Sequence, residues 1–215
     1  MNEFKDLLLV LIGGFLSIAG YFIIDYNRDY KKAKRVKTAL VDELHELRAR
    51  LVLVIFSLES RYGTIDKNFF KWANPILAKY NEKNSNESLL RSIKPLLNLT
   101  GEQRESIVKI SKQRGRSGEG LALKKHSLSL LDSNLEMLSK FDSILRGYLL
   151  DIKNRIGFMN EAIDDYRHYI NITFQQNIST KNYEIANTNI MNSYKAYESQ
   201  AKMVIGIIEK ILNKT

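Results

Sequence analysis

The 215-residue chain has only two prolines, eleven glycines and no alternating apolar and polar pattern, which excludes a β-rich fold and favours an all-α one. It contains no cysteine, which fits a reducing compartment. Its net charge is +9, but residues 25–37 alone hold six basic and two acidic groups. Contact with anionic lipid headgroups therefore explains much of the excess of Lys and Arg over Asp and Glu. Nucleic acid is not the expected partner.

The first predicted element is a transmembrane anchor in residues 1–25. Leu7 to Ile24 is a run of eighteen residues without a charge, and about 20 apolar residues are needed to cross a bilayer. A cleavable signal peptide is the alternative, since Ser17-Ile18-Ala19 has the small-x-small pattern of a cleavage site. The apolar run continues past that point, and a basic block follows it. Both features favour a retained, single-pass membrane helix.

A basic collar follows the anchor and predicts its orientation. Only Lys5 and the α-amino group precede the apolar run. The positive-inside rule therefore predicts an N-terminus outside and all residues after Asp25 in the cytosol. The residues expected to contact lipid headgroups are Arg28, Lys31, Lys32, Lys34, Arg35 and Lys37.

Small residues recur on one face of the anchor. Gly13, Ser17 and Gly20 have the four-three spacing that lets membrane helices approach closely. This spacing predicts a transmembrane packing face and a homo-oligomer. The alternative is that glycine is simply common in membrane helices.

The anchor is predicted to continue as a stalk helix through residues 26–62. No proline or glycine interrupts the chain between Gly20 and Gly63, so one rod should reach about Arg61, some 50 Å beyond the bilayer. The stalk has a four-three apolar seam, which consists of Leu40, Leu44, Leu47, Leu51, Val54 and Leu58.

Residues 63–128 are predicted to form a distal cap of short helices. Its expected boundaries are Asn74-Pro75, the polar run 81–87 and a capping box at Thr100 to Gln103. We expect its core to contain the clustered aromatic residues Phe69, Phe70 and Trp72.

A basic, glycine-rich segment at the end of the cap is the best candidate for a ligand-facing element. Backbone N–H groups of such a loop, together with arginines, can bind phosphate oxygens. The candidate ligand-binding residues are Arg114, Arg116, Lys124 and Lys125. The alternative is a solvated connection without a ligand.

Residues 129–215 are predicted to form two long bundle helices with coiled-coil-like seams. One spans 129–177, returns toward the membrane and has Asp142 as the single polar residue in its seam. The other spans 180–213, runs outward and has Thr180 as its N-cap. The expected fold is thus an N-terminal transmembrane helix continuous with an elongated cytosolic bundle of three long helices plus the distal cap.

The sequence contains no catalytic motif. His45, His126 and His168 lie on three separate segments without companions at metal-ligand spacing, and His45 and His168 are expected to be solvated. No nucleotide-binding glycine motif occurs. We therefore expect a protein that is not an enzyme, with no cofactor, no metal and no catalytic residue.

These expectations combine into a functional hypothesis. The chain is interpreted as a non-enzymatic membrane protein whose cytosolic bundle drives homo-oligomerisation, in the manner of a pore-forming or membrane-perturbing effector of stress or antiviral defence. The alternative is a membrane-tethered scaffold or receptor that binds a soluble protein or a phosphate-bearing ligand through the distal cap and the basic loop.

Overall fold

Every described element of the protein is a helix, which confirms the predicted all-α fold. The computed structural model describes the backbone of residues 2–83, 86–114 and 121–213. It describes the side chains of all these residues except 2–12, 18, 19, 81–83 and 114. One apolar cluster extends from Ala33 on the first helix to Ile211 on the last, so stalk, cap and bundle share a core.

The first helix, α1 (Asn2–Tyr62), is continuous for 61 residues, as the uninterrupted helical pattern predicts. It ends at Gly63, which has a φ of 72°. The N–H of Thr64 then donates to the carbonyl of Glu59 at 3.0 Å, a bond that closes the last turn. Five of the six seam residues are buried, and Val54 is half-buried.

Within the described part of the chain, no helix combines the length and the apolar character needed to cross a membrane. The predicted anchor at 7–24 lies partly outside that part, because the side chains of residues 7–12, 18 and 19 are not among those described. Membrane insertion and topology therefore stay predictions.

The distal cap consists of α2 (Lys67–Lys83), α3 (Glu87–Leu97) and α4 (Gly101–Arg114). The expected boundary at Asn74-Pro75 is wrong, since α2 runs through Pro75. Proline removes one intrahelical hydrogen bond. Burial of three side chains just after it offsets that loss; they are Ile76, Leu77 and Tyr80.

Two other predictions for the cap are confirmed. Thr100 and Gln103 form a reciprocal capping box: Gln103 N donates to Thr100 Oγ1 at 3.2 Å, and Thr100 N donates to Gln103 Oε1 at 2.9 Å. Phe69 and Phe70 are buried with their rings 5.6 Å apart, and Trp72 is half-buried against Phe69. The aromatic residues thus form the core of the cap.

The predicted helix 129–177 is wrong in its first third. The chain has a short helix α5 (Ser129–Ser133), a 3₁₀ helix (Leu135–Lys140) and then α6 (Ser143–Thr173). Phe141 is extended, and Asp142 is the N-cap of α6, where its side chain accepts from Leu145 N at 2.8 Å. The polar residue in the apolar seam therefore starts the long helix instead of lying within it.

The segment 121–141 returns the chain toward the N-terminal part of α1. The N–H of Leu121 bonds Tyr194, the N–H of Leu130 bonds Glu43, and Lys140 pairs with Asp29. We call residues 121–141 the strap. It runs antiparallel to α1, the direction that was expected of the long helix.

The two long helices consequently run opposite to their predicted directions. α6 starts beside residues 26–41 of α1. Its later residue Tyr166 contacts Tyr194, which in turn contacts Tyr62 at the end of α1, so α6 runs parallel to α1. α7 (Thr180–Leu212) then comes back: the rings of Tyr194 and Tyr62 are in tilted contact with centroids 5.3 Å apart, and Lys202 Nζ lies 2.8 Å from Glu59 Oε1. The strap already carries the chain from the end of α1 back toward its start. α6 therefore has to run in the direction of α1, and α7 has to return.

The N-cap of α7 is Ser179, whose side chain accepts from Asn182 N at 3.2 Å, so the assignment to Thr180 is wrong by one residue. The apolar seam predicted for this helix starts at Tyr183, which is 42% exposed. The remaining apolar residues of that seam are buried: Ile190, Tyr194, Tyr197, Ala201, Val204, Ile208 and Ile211. The first turns of α7 therefore contribute little to the core.

Candidate functional site

The N-terminal part of α1 carries apolar side chains that the bundle does not cover. Phe15, Leu16 and four consecutive residues from Tyr21 to Ile24 are between 62% and 73% exposed. Large apolar side chains in one continuous stretch mark a surface that contacts lipid or another protein. This stretch is the described part of the predicted anchor.

The predicted packing face lies on the same stretch. Gly13 and Ser17 are exposed and Gly20 is half-buried. Ser17 Oγ donates to the Gly13 carbonyl at 2.9 Å. A Cβ added at Gly13 or Gly20 meets no atom within 4 Å, so nothing in the described part of the monomer uses the space that these residues leave.

The six basic residues of the collar have different environments. Arg28 pairs with Asp25, and Lys32 pairs with Glu136 of the strap at 3.5 Å. Lys31, Lys34 and Arg35 are exposed, and Lys37 is half-buried. The collar is therefore partly joined to the strap.

A cavity of about 620 Å³, which the sequence did not predict, lies between α1 and the junction of the strap with α6. Lys34, Lys37 and Lys140 line it, together with Tyr26 and Tyr30. The sequence analysis singled out three of its lining residues: Lys34 and Lys37 as part of the basic collar, and Asp142 as the polar residue in an otherwise apolar seam.

Two carboxylates in this cavity are already engaged. Asp29 Oδ2 lies 3.4 Å from Nζ of Lys140. Asp142 accepts from the N–H of Leu145, which holds the pKa of Asp142 below its ordinary value, and the charge of Lys37 adds to that effect. Within residues 2–83, 86–114 and 121–213, Lys34 and Lys37 form no salt bridge.

The predicted phosphate site at the basic loop lies partly outside the described residues and stays a prediction. Residues 115–120, with Arg116, and the side chain of Arg114 lie outside the described residues. Lys124 is exposed, whereas Lys125 Nζ pairs with Asp164 Oδ2 at 2.6 Å. Lys125 therefore attaches the strap to α6.

A tyrosine and histidine cluster holds the strap at its other end. Tyr194 Oη accepts from the N–H of Leu121 at 2.8 Å and donates to the Leu121 carbonyl at 3.0 Å. His126 Nε2 lies 2.8 Å from Tyr197 Oη. Burial lowers the pKa of His126 to about 4 and raises the pKa of both tyrosines, so all three are neutral at pH 7.

His45 is buried, which corrects the expectation that it is solvated. Its Nδ1 lies 3.1 Å from a guanidinium nitrogen of Arg48, which in turn pairs with Glu209 of α7. His168 is exposed, as expected. Among the described residues, no three His, Cys, Asp or Glu side chains come together in a way that could hold a metal ion.

Comparisons with protein-family models, with curated proteins and with solved structures give no match to this chain. Function is therefore inferred from the residues and their geometry.

Proposed function

We propose that this protein is a non-enzymatic, single-pass membrane protein that works as a homo-oligomer, in which several anchors act together on the bilayer as a stress or antiviral effector. The supporting observation is the uncovered apolar stretch at the start of α1, continuous in one helix with the stalk. Hydrocarbon is the occupant best suited to it, because the charge-free run ends where the basic collar begins.

The small-residue face supports self-association of these anchors. At 100° per residue, Gly13, Ser17 and Gly20 cluster on one side of α1, and Phe15 and Phe22 lie on the opposite side. Neighbouring copies would approach along the small residues while the phenylalanines face lipid. No described contact favours the alternative of a receptor at the basic loop.

The first test is membrane attachment of the full chain. After expression in bacteria, the protein should stay in the membrane pellet through extraction with alkaline carbonate, because a spanning helix is not released by breaking ionic contacts. Recovery in the carbonate supernatant would contradict the anchor.

The second test is oligomeric mass in mild detergent, by size exclusion with light scattering. We expect a multimer for the native chain and a monomer for Gly13→Leu combined with Gly20→Leu, because the added side chains hold the helices apart. Phe15→Leu combined with Phe22→Leu is the matched control and should keep the native mass. A monomeric native chain would exclude the oligomer.

A third test, of leakage through the membrane, addresses the effector role. Overexpression of the native chain should cause leakage of a small dye or of potassium from cells, and the double glycine variant should cause much less. Equal leakage from both, at matched membrane levels, would show that association through this face is not needed.

A further inference from the structure

We propose that neighbouring copies of this chain also meet through their bundles, with the outer side of α6 in one copy packed against the outer side of α7 in the next. This inference rests on the proposed function, since it requires anchors that gather several copies in one bilayer. It names a second surface of contact, which is separate from the small-residue face near the start of α1.

Two large apolar side chains lie uncovered on the outer side of the α6–α7 pair. Phe158 of α6 is 54% exposed and Met203 of α7 is 46% exposed. Neither lies in the predicted anchor, so a bilayer does not cover them. Ala196 and Ser199 of α7 are exposed as well, and their three-four spacing places them on the same side of the helix as Met203. Their short side chains leave room for a large side chain from another helix.

The same side of α6 carries carboxylates without partners. Phe158, Glu161 and Asp165 have the three-four spacing that puts residues on one side of a helix. Glu161 and Asp165 are exposed, and neither forms a salt bridge within the described part of the chain, whereas Asp164 beside them pairs with Lys125. The outer side of α6 therefore presents Phe158 together with two negative charges.

α7 carries a complementary charge on its outer side. Lys195 is exposed and forms no salt bridge with any described residue. Lys202, two turns later, is different, because it already pairs with Glu59 and Glu198. Lys195 thus leaves one positive charge available next to Ala196.

These two sets of residues lie at the same level along the axis of the bundle. The rings of Tyr166 and Tyr194 are 4.8 Å apart, and Arg155 Nη1 lies 3.0 Å from Gln200 Oε1. Residues 155–166 of α6 are therefore level with residues 194–200 of α7. The first stretch contains Phe158 and both carboxylates, and the second contains Lys195 and the two short side chains.

The symmetry of a membrane oligomer converts this matching into a contact between copies. Copies that share one bilayer are related by an axis along its normal, so each residue has the same level in every copy. When α6 of one copy lies against α7 of the next, Lys195 faces Glu161 and Asp165, and Phe158 faces the short side chains. Pairing α6 with α6, or α7 with α7, would oppose like charges, which is unfavourable. The charges therefore favour a second copy as the occupant and select the pairing of α6 with α7.

The contact is weak by itself. It consists of a few side chains, which places it among interfaces that bury less than about 1,200 Å². Anchors that associate in the bilayer raise the local concentration of the bundles and allow the contact to form. A chain with Gly13→Leu and Gly20→Leu therefore stays monomeric in detergent although its bundle is native.

The experiment is disulfide cross-linking between two copies in isolated bacterial membranes, since the native chain has no cysteine. One copy carries Asn154→Cys and a first tag, and the other carries Gly206→Cys and a second tag. Both positions are exposed, and an added Cβ at Gly206 meets no atom within 4 Å. They share a level, because Arg155 beside Asn154 bonds Met203, less than one turn from Gly206. Mild oxidation should give a product that carries both tags.

Three other pairings are the controls for this cross-link. They are Asn154→Cys with itself, Gly206→Cys with itself, and Asn154→Cys with Arg91→Cys on α3, whose native side chain is 82% exposed. Each should give several-fold less product with both tags. Equal yields in the test and control pairings would overturn the contact, because the cross-links would then report random collisions.

Charge reversal tests the choice of pairing. Lys195→Glu in both copies should lower the yield of the test pairing several-fold, because three carboxylates then meet. Glu161→Lys combined with Asp165→Lys should do the same, and the three substitutions together should restore the yield. Lys109→Glu, at an exposed position of α4, is the matched control and should leave the yield unchanged. Loss of yield without restoration would overturn the pairing of these charges.

An apolar substitution tests the packing. Phe158→Ala should lower the yield of the test pairing several-fold, because the neighbour's α7 loses its apolar contact. Phe174→Ala is the control, since Phe174 is 80% exposed at the end of α6, outside the stretch that is level with residues 194–200. Equal yields from the two variants would overturn the packing of α6 on α7.

Failure of this inference is distinct from failure of the proposed function. A chain that stays in the carbonate pellet and is multimeric in detergent, yet cross-links no better in the test pairing than in the controls, retains the association of its anchors and loses the contact between bundles. A chain that is monomeric in detergent and does not cross-link loses both.

Discussion

Arg48 shows how a charged residue can belong to the core of this protein. Its side chain is fully buried on α1, where burial lowers the pKa of the guanidinium and Glu209 of α7 opposes that shift. Lys79 of α2 lies 3.6 Å from the second oxygen of the same carboxylate. One glutamate therefore connects stalk, cap and bundle.

We predict that Glu209→Ala lowers the free energy of unfolding by about 3 kcal/mol, because it leaves a buried guanidinium without its carboxylate. Urea unfolding of the full chain in mild detergent, followed by circular dichroism, measures the change. Arg91→Ala is the control: both partners of its pair with Glu87 are 82% exposed, so a change below about 0.5 kcal/mol is expected. A similar small change for Glu209→Ala would refute the structural role.

His126 makes stability depend on pH. Its pKa is about 4 in the folded chain and near 6.5 when solvated, so between these values the unfolded chain binds more protons. Stability contributed by neutral His126 is therefore present above pH 6.5 and is lost as the pH falls toward 4. The total loss is about 3 kcal/mol.

The measurement is the difference in unfolding free energy between the native chain and His126→Gln at pH 7 and at pH 4.5, since carboxylates contribute equally to both proteins. We expect the native chain to lose about 2 kcal/mol more than the variant on acidification. Parallel pH profiles would show that His126 is not the titrating group.

At the scale of elements, Gly63 defines where the longest helix ends. Its positive φ is unfavourable for other residues, and an added Cβ would lie 3.1 Å from the carbonyl oxygen of Ser111 on α4. The end of α1 thus requires glycine for both its backbone conformation and its close contact with the cap.

Two glycine-to-alanine substitutions should therefore have opposite signs. Gly63→Ala is expected to lower the unfolding free energy by about 1–2 kcal/mol. Gly157→Ala, in the exposed interior of α6 with no atom within 4 Å of the new Cβ, is expected to raise it by about 0.5–1 kcal/mol. Thermal unfolding of both variants tests this, and destabilisation by Gly157→Ala would contradict it.

A helix could be predicted from the sequence where apolar residues kept a helical spacing over a long, uninterrupted stretch. This was the case for α1, α6 and α7. The break before α6 was not predicted, because Leu131, Leu135 and Leu138 continue the apolar spacing of α6 in the sequence. In the structure Leu131 and Leu138 are buried, Leu135 is 44% exposed, and Phe141, which precedes α6, is extended. Apolar spacing alone therefore did not distinguish the strap from the long helix.

At the scale of the whole molecule, the strap decides how the helices are arranged. It is fastened near α7 by Tyr194 and near the start of α1 by the pair of Lys140 with Asp29. It thereby carries the chain along the length of the stalk without a long helix.

We predict that Tyr194→Phe loosens the strap, because it removes both hydrogen bonds to the backbone of Leu121. The unfolding free energy should fall by about 1–2 kcal/mol, and amide hydrogen exchange should accelerate in residues 121–128. Tyr183→Phe, at an exposed position of α7, should change neither quantity. Acceleration spread evenly over α6 and α7 would indicate global destabilisation instead.

The sequence by itself determined the all-α class, the continuous α1, the aromatic core of the cap and the capping box, because each depends on local periodicity or on neighbouring residues. Only the tertiary structure decided the directions of α6 and α7, the burial of His45 and Arg48, and the cavity beside Lys34 and Lys37. These features depend on contacts between residues as far apart as Arg48 and Glu209, and local patterns carry no information about which distant segments meet.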